Sequence, residues 1–146
     1  MEYISPLFKI VTLIFTFLAI TTGAQAVLYP IVFSKSLGIS LTPPITLISG
    51  TEQPWSSIDK TSYEAAISYV SLMGIRQLGT GLVLLVFACQ GKWIEAATVL
   101  AIIGFVVAGT DGLYLARRSG RGAGQFHAMP GALIAILALV YMYTHA

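Results

Sequence analysis

Residues Tyr63 to Cys89 read YEAAISYVSLMGIRQLGTGLVLLVFAC, then comes the turn Gln90-Gly91-Lys92, then WIEAATVLAIIGFVVAGTDGLYLA from Trp93 to Ala116. Each run matches or exceeds the roughly 20 apolar residues a helix needs to cross about 30 Å of hydrocarbon. The connection between them is short enough to force an antiparallel hairpin. Two membrane spans are therefore expected, over residues 63–89 and 93–116.

Upstream, the chain from Leu7 to Tyr29 is apolar apart from Lys9, several threonines and Gln25, which predicts a span over 7–29. A cleaved signal peptide is the rival, because Ala24-Gln25-Ala26 is an A-x-A site behind an apolar run. Its apolar stretch exceeds the usual 7 to about 15 residues, and Glu2 weakens the positive leader. Pro30, Pro43, Pro44 and Pro54 then punctuate a stretch expected to be a long loop, with Trp55 suited to the lipid–water boundary. Thr61-Ser62-Tyr63-Glu64 has the form of a capping box and predicts the start of the second helix. Beyond Arg117-Arg118, the string Ser119-Gly120-Arg121-Gly122-Ala123-Gly124 is too glycine-rich to hold a helix cheaply. A fourth span is expected over 125–143. The fold class is all-α: a four-helix transmembrane bundle, up-down-up-down, with a long loop between helices 1 and 2, forming one integral membrane domain over residues 1–146.

Composition agrees. Of 146 residues 56% are hydrophobic and 10% charged, where a soluble domain carries about 25% charge. A net charge of +2 without aromatic interleaving sets nucleic acid aside. Cys89 is the single cysteine, so neither an intrachain disulfide nor a zinc spacing is available. Lys35, Lys60, Arg117, Arg118 and Arg121 are expected in the two loops on one side, against Lys9 and Lys92 on the other. The positive-inside rule puts the first set in the cytoplasm and both termini in the lumen or outside.

Against this apolar background a few residues carry chemistry. Arg76 lies about a dozen residues into the second span, near mid-membrane at about 1.5 Å per residue. A charge there costs about 2.5–3.5 kcal/mol by insertion scales, so it calls for a partner. Asp111, inside the cytoplasmic end of the third span, is the expected one. His127 opens the fourth span, three residues before Pro130, at a similar level. Glu64, Thr22 and Gln25 enter the same half of the membrane, while the other half, around Leu13, Leu85, Leu100 and Ile136, is featureless. Tyr69 and Thr80 share the Arg76 face by helical spacing. Each has a plain alternative: an ion pair that fixes helix register, a cap for Glu64, a helix-start residue for His127, packing for Tyr69. Gly104, Ala108 and Asp111 share a face of the third span, and Gly74 and Gly81 repeat on the second. These two spans are expected to touch there.

Gly23 to Pro30 (GAQAVLYP), Ser36-Leu37-Gly38-Ile39, Gly74-Ile75-Arg76, Asp111 and His127 together resemble a family of small fungal four-span membrane proteins of unknown function, distantly similar to DoxX-like proteins. The resemblance covers nearly the whole chain. It implies a place in natural-product gene clusters, where such proteins look like hydrolases, isomerases or cyclases acting on polyketide or terpenoid intermediates. One position departs: Gln77 stands where the resemblance implies an acidic residue.

These residues point to an acid/base enzyme acting on a lipophilic substrate that enters from the cytoplasmic leaflet. Asp111 would be the base, His127 the proton donor, and Arg76 the group that orients Asp111 or stabilises an oxyanion. Glu64, Tyr69, Gln25, Gln77 and Tyr114 are the expected substrate contacts. No cofactor and no metal are called for. The expected partners are the substrate and the lipid bilayer, with a homo-oligomer in view, and the expected membrane is the endoplasmic reticulum. A non-catalytic scaffold and a small proton-coupled transporter subunit are the alternatives.

Overall fold

The computed structural model describes residues 3–36, 41, 57–119 and 121–145. Every element among them is helical: α1 (Ile4–Leu28), α2 (Pro30–Ser36), α3 (Ser57–Cys89), α4 (Trp93–Ile102), a π-helical turn (Ile103–Val107), α5 (Ala108–Ser119) and α6 (Arg121–His145). Four stretches are long and apolar enough to cross a membrane: Ile4–Leu28, Lys60–Cys89, Trp93–Leu113 and Ala128–His145. The all-α expectation with four spans therefore holds, and the chain is an integral multi-pass membrane protein.

The chain packs as two units: Met1–Thr16 with Val83–Ala146, and Phe17–Leu82. The first unit holds the start of α1, the end of α3, and α4 through α6. Its core is Phe8, Leu84, Ala96, Ala97, Leu100, Ala101, Ala138 and Tyr141. Half of these are alanines, because lipid tails are as apolar as leucine and helices in a membrane gain by close approach rather than by escaping water. Ala97, Ala101, Gly104 and Ala108 mark one seam in three- and four-residue steps; Gly131, Ala135 and Ala138 mark the facing one. A Cβ on Gly104 would collide with the Gly131 carbonyl, and one on Gly131 with the Ala108 methyl. At these positions the helices touch backbone to backbone.

At the other end of this unit the packing is aromatic. The Phe8 and Tyr141 rings stack at 4.2 Å, and His145 stacks on Tyr141 at 4.3 Å. The Lys9 Nζ lies 5.4 Å from the centre of the Trp93 ring, a cation–π contact at the hairpin that joins α3 to α4. Gly91 makes that hairpin with φ +70°, a left-handed conformation glycine adopts without steric cost.

The second unit is built on one crossing of α1 and α3. A Cβ on Gly23 would sit 2.5 Å from the Leu78 nitrogen, and one on Gly74 would sit 2.6 Å from the Ala26 methyl. Gly81 meets Ile20 and Ala19. As α1 advances from Ile20 to Ala26, its partners on α3 retreat from Gly81 to Gly74, so the two helices run antiparallel.

Several expectations need correction. Gly74 and Gly81 pack on the first span, and Gly104 and Ala108 on the fourth, rather than on one another. Small residues announce a close contact but carry no address for it. Thr61–Glu64 is not a helix start, because α3 is already helical at Ser57. The residues after Tyr29 do not begin a loop: Pro30 opens α2, where its missing N–H is no loss, and the Phe33 N–H donates to the Tyr29 carbonyl. Gly122, Ala123 and Gly124 are helical, inside α6. Lys35, Lys60, Arg117 and Arg121 accordingly stand on helices, not in loops. Pro43, Pro44, Pro54 and Trp55 lie outside the described residues.

Candidate functional site

In the first unit the site begins with the π-helical turn. A π turn closes with i to i+5 bonds, here the Ala108 N–H donating to the Ile103 carbonyl, and it widens the helix by one residue. The Thr110 hydroxyl lies 2.7 Å from the Val106 carbonyl and 3.0 Å from that of Val107, the same back-bond that Thr80 and Thr98 make in regular helix. Asp111 follows in the first turn of α5, half-buried, with buried Gly112 beside it. On the facing helix Pro130 sits inside α6, where it removes another backbone donor. Two irregular backbones thus meet at Gly104 and Gly131.

The pairing of α4 and α5 with α6 sets what lies opposite Asp111. The Thr98 hydroxyl reaches the Met142 sulfur at 3.3 Å, Gly104 meets Gly131 and Ala135, and Ala108 meets Gly131. Continuing this antiparallel register by one turn brings Asp111 level with positions 127–128. His127 therefore joins Asp111 at one level of the α5–α6 pair, by backbone register. The His127 side chain lies outside the described set, as does that of Tyr114, one turn beyond Asp111 on α5. From Trp93 to Asp111 is about 27 Å along the helix at about 1.5 Å per residue, so Asp111 stands near the far edge of a hydrocarbon layer of about 30 Å.

The other candidates belong to the second unit. Gly23 against Gly74 and Leu78 brings Gln25 level with Arg76 and Gln77. Gln77 is half-buried; Gln25 and Arg76 are exposed. Tyr69 is 64% exposed, two turns from Arg76 on α3. Glu64 is exposed and lies about 18 Å from Arg76 along the helix axis, so it does not share that level. The residues expected to form one cluster are thus divided between the units: Asp111 and position 127 share a level in the first, while Gln25, Glu64, Tyr69, Arg76 and Gln77 belong to the second, where Arg76 and Tyr69 lie on the side of α3 turned away from α1.

The π turn went unforeseen from sequence. Gly104 was visible as a packing residue, but nothing in IIGFVVAGT distinguishes a widened turn from a regular one.

A family match covers residues 16–141, to a domain of unknown function, DUF4267. The chain belongs to that family. The DUF4267 match takes in both units and contains Gln25, Glu64, Tyr69, Arg76, Gln77, Asp111, Tyr114 and His127. Phe8, Lys9 and His145, which build the aromatic end, fall outside it. No match was found among curated proteins or solved structures.

Proposed function

We infer that this DUF4267 protein is an integral membrane enzyme performing cofactor-independent acid/base chemistry on a lipophilic substrate, of the polyketide or terpenoid kind that the fungal, DoxX-like resemblance implies. The observation that supports it most is the α5–α6 register, which sets Asp111 level with position 127 beside two breaks in regular helix. Irregular backbone at membrane depth is tolerated where it is buried in protein or lines a wet cavity, and π turns recur at functional sites.

In epoxide opening, the Asp111 carboxylate takes a proton from water or a substrate hydroxyl as that oxygen bonds to the epoxide carbon. The carbon–oxygen bond breaks, and protonated His127 delivers its proton to the leaving oxygen. Isomerisation or cyclisation uses the same pair, one group removing a proton and the other returning it. Arg76 stands in the other unit and takes no part in this step. The protein belongs in the endoplasmic reticulum with both termini lumenal, on the argument that Lys35, Lys60, Arg117, Arg118 and Arg121 stay cytoplasmic.

The test is metabolite profiling of a producing host that carries Asp111→Asn or His127→Ala. An accumulating epoxide, polyene or uncyclised precursor, with the protein still abundant in membranes, is the expected result. Unchanged metabolites at normal abundance would remove the catalytic reading. A second reading, a proton-coupled carrier subunit, draws on the same helix breaks, because transporters build sites from interrupted helices. Substrate uptake into vesicles that follows an imposed pH gradient would favour it.

A further inference from the structure

The two breaks in regular helix in the first unit stand opposite each other. The π-helical turn Ile103–Val107 interrupts the run from α4 into α5, and Pro130 interrupts α6. Sharp bends in helices fall at prolines and at π turns, because each disturbs the i to i+4 ladder that keeps a helix straight. A single break bends one helix against a straight neighbour. Two at one level let a pair of helices bend together. The level here is shared: Gly104, inside the π turn, meets Gly131, the residue after Pro130.

The contact at that level is of a kind that can turn. Gly104 and Gly131 meet backbone to backbone, flanked by the Ala108 and Ala135 methyls, so no long side chain is interlocked across it. On the side toward Trp93 the packing is fixed. Leu100, Ala101 and Ala138 are buried in the core, the Thr98 hydroxyl reaches the Met142 sulfur, and Tyr141 stacks on Phe8 at 4.2 Å. On the other side, α5 packs along the first part of α6, and among the described side chains from Ala108 to Pro130 Gly112 alone is buried. Asp111 and position 127 both lie on this outer side, three residues past Ala108 and three before Pro130. A swing about the glycine contact carries the two as one body. It preserves their common level and changes what surrounds it.

We propose that the outer parts of α5 and α6, from Ala108 to Pro130, form a lid that pivots on the Gly104–Gly131 contact and opens the level of Asp111 to lipid. The inference rests on Asp111 being a site residue, and it supplies the route by which a lipophilic substrate reaches it. α5 has 12 residues, about 18 Å of helix, so a bend of about 20° moves its far end by about 6 Å.

The experiment is electron–electron double resonance on the full chain in phosphatidylcholine nanodiscs, with nitroxide labels placed wholly within the first unit. Cys89, exposed and the single cysteine, takes one label on the fixed side. Arg117→Cys, at an exposed position, takes the second on the lid, and Leu139→Cys replaces it as the control on the fixed side. The Cys89–Arg117 distances are expected to spread or split over about 6 Å, while the Cys89–Leu139 distances stay narrow. Pro130→Ala restores a backbone donor and should shrink the first distribution to the width of the second. With Cys89→Ser, labels at Leu113→Cys and Met129→Cys report the lid internally, and their distances should be narrow. Amide exchange of the unaltered protein gives an independent reading: residues 103–108 and 131–134 should exchange at least about 10-fold faster than 96–101 and 135–141. Equal widths for the lid and control pairs overturn the proposal, as does a broad distribution that survives Pro130→Ala. A broad Leu113–Met129 distribution also overturns it, because the two helices then part instead of moving together. Should Pro130→Ala fail to fold, the distance widths and amide exchange of the unaltered sequence decide. None of these readings needs turnover, so an immobile lid and an inactive enzyme are separate results.

Discussion

The two ends of the first unit are made of different material. At one, Phe8, Tyr141 and His145 stack in sequence, Lys9 covers Trp93, and the His145 ring nitrogen shares hydrogen bonds with the Tyr141 carbonyl and the Thr144 hydroxyl. At the other, a π turn, an internal proline and a half-buried carboxylate share a few residues. The first end spends its large side chains on contact and lies largely outside the family match; the second gives up regular backbone and lies inside it. Stability and chemistry are expected to separate along the same line.

Breaking that separation is the strongest test. On the proposed acid/base reading, Asp111→Asn should cut turnover by about 10²- to 10⁴-fold, the range for loss of a general base, while the unfolding temperature holds or rises because a charge has left the membrane edge. Tyr141→Ala should do the reverse. Tyr141 is 4% exposed and stacks on both sides, so truncation should cost about 3–5 kcal/mol, read as a lower unfolding temperature with turnover per folded molecule retained. If Tyr141→Ala removes activity at full stability, the division between the ends is wrong.

The glycines sharpen the same comparison on a smaller scale. Gly131→Leu forces a side chain into the Ala108 methyl and should destabilise by about 1–3 kcal/mol, with the larger figure expected where backbones touch. Gly109→Ala meets nothing within 4 Å. It should stabilise by about 0.5–1 kcal/mol through helix propensity alone. Thermal unfolding of the purified protein ranks the two.

Spans, hairpin and helical class were legible because a membrane imposes length and hydrophobicity on each helix separately. The run to Cys89 and the turn at Gly91 needed no partner to be recognised. What each helix touches was not legible: Gly74 and Gly104 looked like halves of one contact and proved to belong to two. A glycine records that something comes close, and the identity of that neighbour is a property of the whole packing. Gly122, Gly124 and Pro30 read as helix breakers by scales drawn from water, yet the two glycines lie inside α6 and Pro30 opens α2. Pro30 costs little as the first residue of a helix, where its N–H would have no partner in any case. Of the candidate site, residue types and spacing singled out Asp111 and His127; the π turn that precedes Asp111 rests on backbone geometry that no residue there announces.

Thr12 offers an effect as small as that of Gly109→Ala. Its hydroxyl is fully buried in the first unit without a hydrogen-bond partner, and its carbonyl accepts from Thr16 at 2.7 Å. It lies one turn from Phe8 on α1. Valine has nearly the same shape and no polar atom, so Thr12→Val should relieve the desolvation of an orphaned hydroxyl and stabilise the protein by about 1 kcal/mol. Thermal unfolding should move up by a few degrees. A downward shift would mean that the hydroxyl holds a buried water, which makes this layer wet and carries polar solvation further toward the aromatic end than the contrast between the two ends allows.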